Sequence, residues 1–86
     1  MTNDMRFNTP AFSFKNAGTV FTCYAHKKTR YGQTALFKTQ GGNWIVANGV
    51  HFYSPMLDCE VVGDWDHGHY FMENKDKAVR YYEEVA

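Results

Sequence analysis

The chain changes its hydrophobic period near its end, and this constrains its fold more than any other feature. From residue 11 to about residue 72, apolar and polar residues alternate in short runs between turn signals. That is the pattern of half-buried strands. After Asn74 the apolar positions become Ala78, Tyr81, Tyr82 and Val85, at i, i+3, i+4 and i+7. This spacing makes one stripe on a helix. Asn74 supplies an N-cap oxygen, and Asp76 suits the positive end of the helix dipole. Glu83 and Glu84 oppose the dipole at the far end, so the last turn is expected to fray. A helix of about 11 residues is marginal alone in water and must pack on something. The expected fold is therefore α+β: a small antiparallel β-sheet of about four to six strands with one C-terminal amphipathic helix packed on it.

The strands can be placed. Residues 11–15 alternate around Phe12 and Phe14, and Asn16-Ala17-Gly18 signals a turn. Residues 19–26 are the strongest strand, rich in β-branched and aromatic side chains. Strict alternation puts Phe21, Cys23 and Ala25 on one face, with Val20, Thr22, Tyr24 and His26 on the other. Residues 27–32 read as a basic loop closing a hairpin onto residues 33–39. Gly41-Gly42 marks the next hairpin turn, and residues 43–47 return. Asn48-Gly49 is either a further turn or a bulge that lets residues 50–53 continue the strand. Ser54-Pro55 interrupts, and residues 57–62 alternate as another strand. Residues 63–69 read as a polar turn, and 70–72 as a last short strand. Residues 1–10 form a polar arm anchored by Phe7, and residues 11–86 a single domain.

Eighty-six residues bury only a small core. Aromatics compensate, at 17% of the chain, whereas Leu and Ile together number three. Cys23 and Cys59 lie far apart, outside any metal-like spacing, and read as reduced core thiols. No membrane-length apolar run and no secretory h-region is present, so the expected setting is cytoplasmic, with no membrane partner.

Net charge is zero, but its distribution is uneven. Residues 1–40 carry six basic side chains against one acidic, and residues 41–86 three against eight. Such asymmetry marks a candidate binding surface unless strand pairing interleaves the halves.

Three groups of residues bear on function. Asp64, Asp66, His67 and His69 could hold a divalent cation through oxygen and nitrogen, with Cys59, Glu60 and His51 within reach. Their spacing matches no structural zinc pattern, and Asp and Gly are turn formers, so a solvated turn is the preferred reading. Lys27, Lys28, Arg30 and Tyr31 could meet phosphates and stack on bases of RNA or another single strand, together with Tyr24, Phe37 and Trp44. The third group is the aromatic surplus: Tyr31, Trp44, Tyr53, Trp65, Tyr70 and Tyr81 exceed what one small core encloses, and such residues are enriched at protein interfaces. Cys23 with His26 or His51, or Asp64 with Asp66, could be assembled into catalytic pairs, but no spacing requires it. The leading expectation is a non-enzymatic protein-binding module without cofactors. It would dock on a host protein, as compact phage or mobile-element proteins do when they inhibit a host or defence factor. The expected contacts are Lys27, Lys28, Arg30, Tyr31, Trp65 and Tyr70. Nucleic acid is the alternative partner, and pairing through an uncovered strand edge would give a homodimer.

Overall fold

A computed structural model describes Phe7, residues 10–53 and residues 61–86, with the side chains of residues 52–53 and 61–64 left aside. Five strands and one helix follow one another: β1 (Phe12–Asn16), β2 (Thr19–Thr29), β3 (Gly32–Thr39), β4 (Trp44–Tyr53), β5 (Val61–Met72) and α1 (Lys75–Glu84). The α+β reading is correct, with five strands. Most of the arm at residues 1–10, the Ser54-Pro55 break and the strand start at residues 57–60 lie outside the described residues, as do Cys59, Glu60 and the side chains of Tyr53 and Asp64. Phe7 is half-buried against the helix, with its ring 5.9 Å from that of Tyr82.

The sheet closes into a barrel in the order β1-β2-β3-β4-β5. Neighbouring strands are antiparallel, and an odd number of them has a geometric consequence. After four reversals the fifth strand runs in the direction of the first, so the closing pair must be parallel. It is, with Phe14 opposite Val61 and Lys15 opposite Val62. The β1–β2 turn fits its sequence: Ala17 and Gly18 both have positive φ, at 52° and 83°, the backbone of a two-residue hairpin loop.

Both faces of the central strands are covered, which explains where the aromatics go. Inside the barrel, Phe14, Phe21, Cys23, Ala35, Phe37, Ile45, Ala47 and Val50 form one core, with Phe12 and Trp65 packed against it. Outside, Leu36, Trp44 and Val46 meet Ala78, Val79 and Tyr82 of the helix. On β3, Thr34, Ala35, Leu36 and Phe37 are therefore all buried in succession, as in strands covered on two sides. The helix is capped as expected: Asn74 accepts a hydrogen bond from the Lys77 amide at 3.1 Å. Its far end is tied down by two further bonds, from the Val85 amide to the Tyr81 carbonyl and from the Arg30 amide to the Ala86 carbonyl.

Two phase changes depart from simple alternation. The β2–β3 register shifts between Cys23 and Ala25, so that Ala25 pairs with Leu36 and His26 with Ala35. This bulge moves Ala25 to the helix side, beside Tyr24, and brings His26 round to the barrel side. Strict alternation had assigned both to the opposite faces. On β4, Ala47 and Val50 face the same core although they are three residues apart. The break lies at Gly49, at φ 72°. β4 runs through Asn48-Gly49 with its register against β5 unbroken, from Asn48↔His67 to Val50↔Trp65, so the segment is neither a turn nor a bulge; the register shift on β4 lies between Trp44 and Ile45.

Two segments read as loops are strands. Lys27 and Lys28 belong to β2, which leaves Arg30 and Tyr31 as the tip of the hairpin. Residues 63–69 are the middle of β5, paired along β4 from Tyr53↔Val62 to Trp44↔Met72. Their turn-forming composition gives way to cross-strand pairing.

Candidate binding site at the hairpin end of the barrel

The β2 bulge builds the site. By turning the phase of β2, it directs His26 and Lys28 toward the barrel end, where β3 begins at Gly32 and Gln33 and β4 continues past Gly49. These segments enclose a cleft of about 470 Å³ lined by His26, Lys28, Tyr31, Gln33, Val50 and His51, among others. Lys27 also borders it, while its ammonium lies 4.7 Å from the centre of the Tyr82 ring.

The tip is held in a defined shape. The Tyr31 amide donates to Thr29 Oγ1 at 3.2 Å, and the Arg30 amide is fixed to Ala86 at 3.1 Å. Arg30 turns its guanidinium onto Tyr31, 5.0 Å from the ring centre, and donates from Nη2 to the phenol oxygen at 3.1 Å. Tyr31 remains 42% exposed. Opposite, His51 Nε2 lies 4.0 Å from Asp66 Oδ1, and both side chains are exposed. Such a pair contributes little to stability. The cleft thus offers ammonium groups, two imidazoles, one amide and an aromatic ring, with one apolar side chain, Val50, while the Arg30 guanidinium stacks on Tyr31 beside it and the Asp66 carboxylate faces His51.

The expected contact residues divide. Lys27, Lys28, Arg30 and Tyr31 gather at this end. Trp65 does not share their exposed surface: it is half-buried and fills the barrel, with its ring 5.0 Å from Phe21, 5.3 Å from Phe37 and 6.4 Å from Phe14. Tyr70 is 63% exposed, but it pairs with Ile45, five residues along β4 from Val50. Trp44 is buried and Tyr81 half-buried in the helix interface.

The residues weighed as metal ligands are spread along β5. Asp66 lies over Gly49, His67 pairs with Asn48, and His69 stacks on Tyr81 with ring centres 4.6 Å apart. Asp64 pairs with His51 in register. Among the described residues no three His, Cys, Asp or Glu side chains converge as a metal site would require. Cys23 faces the barrel core, and its thiol donates to the Ala25 carbonyl at 3.4 Å. Burial pushes this thiol up to about 12, so it is a poor nucleophile.

Gln33 and Val50 were not expected in a site, and His26 and His51 had been considered only for metal or catalysis. The signal that joins them to the lysines is the one-residue shift in β2, which alternation alone does not reveal. No protein-family model, curated protein or solved structure matches the chain.

Proposed function

We propose that the chain is a non-enzymatic module that binds single-stranded nucleic acid at the end of its barrel where the β2–β3 hairpin turns. The supporting observation is the convergence of Lys28, Tyr31, His26, Gln33 and His51 on one cleft, with Arg30 and Lys27 at its rim. Cations of this kind track a phosphate backbone, while rings and amides meet bases without demanding one sequence. Net charge is zero, but the basic groups are concentrated where the cleft is, and local field matters more here than the total.

Docking on a host protein is the second reading. It drew on six surplus aromatics. Tyr31 and Tyr70 are the large exposed aromatics among the described residues, and Met72 is the other large exposed apolar residue.

Fluorescence anisotropy with labelled single strands of roughly 20 nucleotides tests the first reading, at salt from about 50 to 200 mM. Lys28→Ala with Arg30→Ala is expected to weaken binding to every sequence alike. The slope of log affinity against log salt should fall by about 1.4, or ~0.7 per lost phosphate contact. If wild-type protein leaves the oligonucleotides free at the lowest salt, the reading falls. A protein retained from nuclease-treated lysate, and lost by the same double variant, would then replace it.

A further inference from the structure

One side chain in the cleft stands apart from the other amides of the barrel. Gln40 accepts a hydrogen bond from the Val20 amide at 3.4 Å, Asn48 joins Thr34 to Tyr81, and Asn74 caps the helix. Gln33 is half-buried and lines the cleft, yet its amide bonds to no described residue. A half-buried amide without a partner in the protein has both its donor and its acceptor to offer to a ligand.

Its position suits a base. Gln33 pairs with Lys28 across the β2–β3 ladder, so the two side chains leave the sheet on the same face. Two residues back, Tyr31 also lines the cleft, and Arg30 lies against its ring, 5.0 Å from the centre. A ring has two faces, so one remains for a base to stack on. An ammonium, a ring and a free amide then match the phosphate, the face of a base and its edge.

An uncharged amide presents one donor group beside one acceptor. Adenine matches that pair on either of two edges, N6–H with N7 and N6–H with N1. Guanine carries two acceptors, N7 and O6, on its N7 edge. Cytosine and thymine have a single matching edge and a smaller ring to stack.

We infer that Gln33 is the base-reading residue of the cleft and that it favours adenine at one position of the bound strand. This rests on the nucleic-acid reading above and adds a local preference to a grip that tolerates any sequence elsewhere.

The test uses oligothymidylates of about 6 nucleotides, near the lower limit for one such site, with the central base kept or replaced by adenine, cytosine or guanine. Fluorescence anisotropy should find the adenine strand bound about fivefold more tightly than the others, the lower range of a bidentate contact. Gln33→Met keeps the length of the side chain and removes both hydrogen-bonding groups. It should bind the four strands alike, at the wild-type affinity for thymine, with an unchanged salt slope because no charge is lost. If wild-type protein binds all four alike, the inference is overturned while the tip reading stands. An adenine preference that survives in Gln33→Met would belong to stacking on Tyr31 and overturn the role of Gln33. A guanine preference would assign base reading to Lys28, whose ammonium fits O6 and N7, with the same result. Equal weakening of all four strands by Gln33→Met would make the amide a structural group and again overturn the inference. Failure of wild-type protein to bind any of the strands removes the functional reading and the inference with it.

Discussion

Thr34 donates its hydroxyl hydrogen to Asn48 Oδ1 at 2.8 Å, and both side chains are buried, at 0% and 2% exposure. This bond sets the direction of a longer chain. Because Thr34 has spent its only hydrogen on Asn48, the 2.8 Å contact between Thr29 and Thr34 has Thr29 as donor. Thr29 in turn accepts from the Tyr31 amide, and Asn48 Nδ2 donates to the Tyr81 hydroxyl at 3.3 Å. One line of hydrogen bonds thus runs from the binding tip through the sheet to the helix.

Asn48→Ala breaks this line at its centre, removing two hydrogen bonds and turning the Thr34 hydroxyl to Thr29 Oγ1 as its acceptor. The expected loss is about 2 kcal/mol, at roughly 1 kcal/mol for each of the two bonds. Tyr81→Phe, at the half-buried end, should cost about 1 kcal/mol. Urea unfolding of the two variants reads both values. Equal losses would mean that the line does not act as a unit.

Gly49 carries two separate requirements. Its φ is 72°, and a Cβ there would lie 2.5 Å from Asp66 Oδ2. Gly49→Ala should destabilise by more than the ~1–2 kcal/mol of a left-handed alanine alone. Asp66→Ala in the same chain should recover the steric part and leave the backbone part. Thermal melts of the single and double variants check this, and a double variant no better than Gly49→Ala would show that Asp66 simply moves aside.

Trp65 and Tyr70 separate core from surface on the same strand. Trp65→Ala removes a ring that touches three phenylalanines in the barrel, and should cost about 3–5 kcal/mol. Tyr70→Ala, at an exposed position, should stay within about 0.5 kcal/mol. Chemical denaturation of each measures the contrast, and a mild Trp65→Ala would place that ring outside the core.

Alkaline pH should weaken the fold through two buried acids. Burial raises Cys23 from 9.0 to about 12, and burial followed by the nearby Cys23 charge raises Tyr82 from 10.0 to about 12. In each case the folded state holds its proton where the unfolded state releases it. Their contribution is therefore whole below pH 9 and is lost as pH climbs toward 12. Urea midpoints across pH 8 to 11 should fall, and Tyr82→Phe should fall less steeply than wild type above pH 10. In the Cys59→Ser variant, a thiol reagent at pH 8 should label Cys23 only after unfolding. Rapid labelling of the folded protein would contradict its burial.

What could be read from the sequence depended on the range of the interaction. The Asn74 cap, the Ala17-Gly18 turn and the helical stripe are local, and each was legible. The bulge after Cys23 is a single-residue shift fixed by pairing with β3, whereas the left-handed Gly49 turns the phase of β4 with no shift of register, and neither alters composition. They also decide that His26 meets Lys28 at one cleft, so half of the site was hidden. Residues 64–69 looked like a turn because Asp, Gly and His dominate them. Nine cross-strand pairs with β4 hold the strand they belong to in an extended form. The supposed aromatic surplus followed from counting one core where the sheet has two.

The parallel seam also has a kinetic consequence. Each hairpin of the meander joins neighbours in sequence and closes a short loop, whereas Phe14 and Val61 can meet only after the intervening strands are in place. Loop-closure entropy orders such events, so the seam, with two residue pairs among the described residues, forms last and opens first. The barrel is in effect a ribbon with a clasp: hydrogen exchange should release early whichever of the Phe14 and Lys15 amides is directed at β5, and the centre of β3 last.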